Sequence, residues 1–127
     1  MQTTQYLNVD LEIESHTDLS TLVQAFGEHV VILHNGMWHN HHRVVVEVSS
    51  TQMTADETLV EFCRLIKTFS DAAQKSWQRC FSRKFDLGFA CGQTDTQFHT
   101  TLQADTLQQL SAIGASIAIT IYPLVAE

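Results

Sequence analysis

Proline is nearly missing: one residue in 127, at position 123, with five glycines beside it. A chain this poor in both has no Pro- or Gly-rich linker, so residues 1–127 are expected to form a single domain. Cysteine is scarce and odd in number (Cys63, Cys80, Cys91), without a C-x-x-C pair. That argues against a disulfide framework and points to a reducing, cytoplasmic setting. No stretch approaches the ~18 consecutive apolar residues of a membrane helix. Met1-Gln2-Thr3-Thr4-Gln5 has neither the cationic segment nor the apolar core of a secretory signal. A P-loop, a dinucleotide fingerprint, a nucleophile elbow and an HExxH are all missing too. The chain therefore offers no motif for an enzyme, leans away from catalysis, and implies no cofactor.

Bases are half as many as acids, 7 Lys+Arg against 14 Asp+Glu, for a net charge of -7. Their placement is uneven. Residues 1–63 hold nine acids and Arg43; residues 64–84 hold six bases and Asp71; residues 85–127 hold four acids and no base. An acidic protein repels nucleic acid and anionic lipid, so neither partner is expected.

What is present is patterned. Leu7 to Glu14 alternates apolar and polar residues, as in a strand with one buried face: Leu7, Val9, Leu11 and Ile13 inward, Asn8, Asp10, Glu12 and Glu14 outward. A short helix follows, with Leu19, Leu22, Val23 and Phe26 at helical spacing and Gly27 as its stop. Val30–Leu33 and Val44–Val48 read as a hairpin turning at Asn35-Gly36, with a long His-bearing connection. Thr54-Ala55-Asp56-Glu57 has capping-box form, and three-four spacing from Leu59 through Trp77 to Cys80 predicts one helix over about 55–82. Phe85, Leu87, Phe89 and Cys91 form an inward-facing strand, with Phe98, Thr100 and Leu102 as its expected hairpin partner. A third helix follows over 104–113, with Leu107, Leu110 and Ile113 inward and Gly114 as its stop. Ile117, Ile119 and Ile121 line a final strand. The order reads β-α-β-β-α-β-β-α-β. We expect an α+β two-layer sandwich: a ferredoxin-like core extended by an extra strand–helix–strand unit, with the helices on one face of a mixed or antiparallel sheet.

The opening Tyr6-Leu7-Asn8-Val9-Asp10-Leu11, the mid-chain helix and the closing Leu107…Leu110…Gly114-Ala-Ser-Ile-Ala-Ile-Thr-Ile-Tyr122 together resemble a family of small bacterial domains of unknown function. The resemblance implies an α+β domain and no reaction.

Three constellations have chemical potential. His34, His39 and His41 are the candidate metal ligands: imidazoles at i and i+2 share a side of an extended chain, and a third nitrogen comes from across the turn. Against this, a solvated loop needs no metal. Asp10, Glu12 and Glu14 form a candidate interaction face; paired catalytic carboxylates would need an apolar pocket that the sequence does not promise. Cys91 with His99 suggests a nucleophile, but Cys91, Cys63 and Cys80 all read as buried small hydrophobes. Trp77 and Phe81 lie in the basic run, Trp77 on the apolar face. The leading reading is a non-catalytic protein-interaction or assembly domain, self-associating as a homodimer through its free sheet face or edge. The alternative is a small-molecule or metal-binding protein using the His34–His42 segment.

Overall fold

The computed structural model describes residues 3–50, 52–93 and 96–124. Among the described residues five strands form one mixed sheet: β1 (Gln5–Ser15), β2 (Val30–Trp38), β3 (His41–Val48), β4 (Ser82–Ala90) and β5 (Ser116–Tyr122), in the order β2-β3-β1-β4-β5. All neighbours are antiparallel except β4 and β5, which run parallel. Four α-helices among the described residues pack against the sheet: α1 (Ser20–Phe26), α2 (Ala55–Lys67), α3 (Asp71–Arg79) and α4 (Ala104–Ala112). The chain is a two-layer α+β sandwich. No described helix is long and apolar enough to cross a membrane.

The core lies between sheet and helices. Val9, Leu11 and Ile13 of β1 are at most 1% exposed and meet Val44, Val46, Phe85 and Leu87 from the flanking strands, beneath Phe26 of α1 and Phe62 of α2. The alternation of β1 thus sorts its side chains as the pattern requires. Leu7 is the exception. It is the extra residue of a bulge between Tyr6, opposite Phe89, and Asn8, opposite Gly88. The bulge turns Leu7 outward and lets Tyr6 share the helical face with Val9.

The capping box is present: the Glu57 N–H donates to Thr54 Oγ1 at 3.1 Å, and the Thr54 N–H to Glu57 Oε1 at 2.9 Å. The single helix over 55–82 is not. Thr68 donates its hydroxyl to Leu65 O, Gln74 donates its amide to Ile66 O, and Ser70 accepts the Ala73 N–H to start α3 afresh. Side chains that bond the local backbone compete with helix continuation. The break redirects α3 onto α1, where Phe69 meets Phe26 edge-on with ring centroids 5.1 Å apart.

The hairpin turns at His39-Asn40, not at Asn35-Gly36. Both turn residues have positive φ (49° and 67°), as the tightest hairpin turns require. Asn35 and Gly36 lie inside β2, opposite Val44 and Arg43, so the connection is short rather than long. A second bulge, at Leu33, separates Ile32, opposite Val46, from His34, opposite Val45; it moves His34 to the face away from the helices.

Phe98, Thr100 and Leu102 form no strand. Phe98 packs on Phe89, the Gln103 N–H donates to Asp56 Oδ1 at 2.9 Å, and β5 occupies the place beside β4. In α4 Thr106 and Leu110 are buried, and Leu107 is exposed. The helix stops at Gly114, whose φ of 70° a side chain would strain and whose carbonyl accepts the Arg83 guanidinium.

Candidate functional site

No helix or strand among the described residues covers the face opposite the helices. β1 contributes Asn8, Asp10, Glu12 and Glu14; β3 contributes Arg43, Val45 and Glu47; β4 contributes Lys84 and Asp86. Register brings them into rows: Glu12 stands between Val45 and Lys84, Glu14 opposite Arg43, and Asp10 opposite Asp86. Among the described residues this face sets five carboxylates against the permanent cations Arg43 and Lys84.

The carboxylates differ in how they are satisfied. Glu12 Oε1 accepts from Arg43 at 3.3 Å, and Glu14 Oε1 lies 2.6 Å from His41 Nε2. Arg43 also sits 4.8 Å from the Trp38 ring centroid, a cation–π arrangement. Asp86 accepts the Thr120 hydroxyl at 2.8 and 3.0 Å. Asp10 has no base beside it among the described residues. The Asn8 amide donates to Asp10 Oδ1 at 3.0 Å and to Glu47 Oε2 at 3.2 Å, tying the two carboxylates together. Partial burial, then the charges of Glu47, Asp86 and Glu12, push the Asp10 carboxyl up to about 6.

A cleft opens here because β1 and β3 pair only from Ser15/His42 to Leu11/Val46 and then separate. It measures about 510 Å³, with Tyr6, Asn8, Asp10, Glu47, Met53 and Tyr122 among its lining. Gly88 keeps one wall thin: a Cβ there would stand 3.0 Å from Asn8 Oδ1 and 3.5 Å from the Tyr122 ring. The cleft beside the first-strand acids is lined by polar as well as apolar side chains, and so is not the apolar pocket that paired catalytic carboxylates need.

Asp10, Glu12 and Glu14 do share one face, as the alternation predicts. Glu47 and Asp86 join them unannounced. Each is a lone acid in an apolar run (Val-Val-Val-Glu-Val; Phe-Asp-Leu), a signal that acquires meaning only once strand order is known.

The histidines take separate roles. His34 stands on the open face, 6.2 Å and edge-on from Trp38, with a buried Nε2 that has no partner among the described residues. His39 lies in the turn with its ring edge against Trp38, and His41 is turned toward Glu14. Among the described residues no group of three His, Cys, Asp or Glu is placed to hold a metal ion. Cys63 and Cys80 are buried, which pushes both thiols up, Cys80 to about 11. Cys91 is exposed, not buried, at the end of β4, and its Sγ meets Gly92 O rather than His99. Trp77 is buried, donating its indole N–H to Ile113 O at 2.8 Å. In the basic run Arg64 pairs with Glu61, and Arg83 is consumed by the Trp77, Cys80 and Gly114 carbonyls.

Compared with protein-family models, curated proteins and solved structures, the chain matches none.

Proposed function

We propose that the protein is a non-catalytic interaction domain that binds a basic segment of another protein on its open sheet face. The observation that carries this reading is the uncovered row of carboxylates ending in Asp10 and Glu47, beside a cleft of about 510 Å³ rimmed by Tyr6 and Tyr122. Opposite charge steers and orients a partner more than it tightens binding, so the contact would be salt-sensitive. The strand order β2-β3-β1-β4 supports the name ferredoxin-like for the core, with α4 and β5 as the added unit. The three free thiols support a cytoplasmic setting, and the family of small bacterial domains that the sequence resembles is the proposed kin. Self-association as a homodimer belongs to the same proposal.

Calorimetry with a short Lys/Arg-rich peptide tests it. We expect micromolar binding at about 50 mM salt that weakens severalfold by about 200 mM, and loss of binding in the Glu47→Lys, Asp86→Lys double variant. No heat at ~1 mM peptide, or equal binding by the variant, overturns the reading. A second reading, a small-molecule site, is favoured by the partly buried Asp10 at the cleft; a ligand that raises the melting temperature of the wild type but not of Asp10→Asn would establish it.

A further inference from the structure

We infer that the outer edge of β5 is the seat of a second copy of this chain, joined strand to strand across a two-fold axis. The inference rests on the homodimer of the proposed function and gives it a seat; it does not depend on the basic partner of the open face, because it concerns an edge and not a face.

The two ends of the sheet are unlike. β2 carries the Leu33 bulge and a glycine at 36, both of which disrupt a pairing edge. β5 carries no such protection. Its pairing with β4 runs without a register shift from Lys84/Ser116 to Ala90/Tyr122, and Ser-Ile-Ala-Ile-Thr-Ile-Tyr contains no charge and no proline. A straight, uncharged edge is a template for another strand. Ile119 and Ile121 face the helical side, opposite Leu87 and Phe89, yet each is 64% exposed. Nothing among the described residues covers them: Ile117 packs on the core, and cover ends there.

The pattern is complementary to itself. Two copies of β5 related by a two-fold axis run antiparallel. Centred on Ile119, the register sets Ile117 opposite the partner's Ile121 and joins the isoleucine stripes. Ala118 then faces the partner's Thr120. The nearest charges on the neighbouring strand, Lys84 and Asp86, lie one strand inward on the other side of the sheet. No charged side chain of β5 itself opposes the approach of a second copy. Ile119, Ile121, Tyr122, Leu124 and Phe98 are each 43% to 64% exposed. At roughly 150–200 Å² per large side chain they offer on the order of 500 Å² per copy. With the strand backbone added, this approaches the ~800 Å² per partner of a standard interface.

Sedimentation between about 1 and 100 µM tests the inference, a range that brackets micromolar association. The wild type is expected to move from 14.3 kDa toward twice that mass. The Ile119→Lys, Ile121→Lys variant should dissociate at least ~100-fold more readily, since it places four charges in the joint stripe. Val31→Lys on the opposite edge should leave dimerisation unchanged. A wild type that stays monomeric, a β5 variant that still dimerises, or a Val31 variant that does not, overturns it. Hydrogen exchange of wild-type residues 116–122 gives a readout that needs no variant: protection should rise with concentration, and exchange that ignores concentration counts against the interface.

Discussion

β1 and β5 have the same alternating pattern and opposite fates. Val9, Leu11 and Ile13 are sealed beneath the helices, whereas of Ile117, Ile119 and Ile121 only the first packs on the core. Both strands place their apolar set on the helical side, so alternation decided orientation in each. Burial was decided by position: β1 is the central strand, β5 an edge whose cover ends at Ile117. Period-2 patterning reports which way a side chain points, and strand order reports whether anything meets it.

Truncation separates the two strands most sharply. Leu11→Ala should cost about 2–5 kcal/mol in denaturant unfolding, because it empties a site that is 0% exposed. Ile119→Ala, measured where the protein is monomeric, should cost no more than about 0.5 kcal/mol. Equal costs would break the comparison.

The docking of α3 on α1, beside the cover over β1, depends on the helix break at Thr68–Ser70. Ser70→Ala removes the acceptor for the Ala73 N–H and should destabilise by about 1 kcal/mol. A neutral result would mean that α3 docks by packing alone.

Asp10 probes the other side of β1. Its folded carboxyl is raised to about 6 from the 3.8 of an unfolded chain, so between those values the folded state holds the proton more tightly. Its contribution to stability is therefore present near pH 4 and lost as pH rises to about 6. Asp10→Asn should abolish that slope and, after discounting for solvent screening, stabilise at pH 7 by about 1 kcal/mol. A variant whose pH profile is unchanged would show that Asp10 and Glu47 do not strain the face they share.

The smallest effect belongs to the hairpin at the β2 edge. With His41 turned to Glu14 and His39 in the turn, a chelator should leave the melting temperature unchanged. A fall of many degrees would make metal part of the fold.

Much of this architecture was legible in the residues. The β1 alternation, the Thr54 capping box and the Gly114 stop each depend on neighbours within a few positions, and each was readable. The break at Thr68–Ser70 was hidden because Ile66, Phe69, Ala73 and Trp77 keep apolar spacing straight through it. Asn35-Gly36 outcompeted His39-Asn40 as a turn signal, although the bulge at Leu33 and the β3 register favour the latter. The two bulges were out of reach, since an extra residue exists only relative to a partner strand. Of the site, Asp10, Glu12 and Glu14 were readable from one strand, but the cleft was not: Asp86 and Glu47 are 76 and 37 positions away from Asp10.

The central place of β1 also has a consequence for how the chain folds as it is made. β1 is synthesised before both of its partners, β3 at residues 41–48 and β4 at residues 82–90, one on each side. At roughly 5–20 residues per second, β4 follows β1 by several seconds, during which the apolar side of β1 has at most one flank. Pairings this far apart in sequence close slowly. Folding should therefore be committed only after β4 emerges, with the α4–β5 unit docking last onto an assembled sheet.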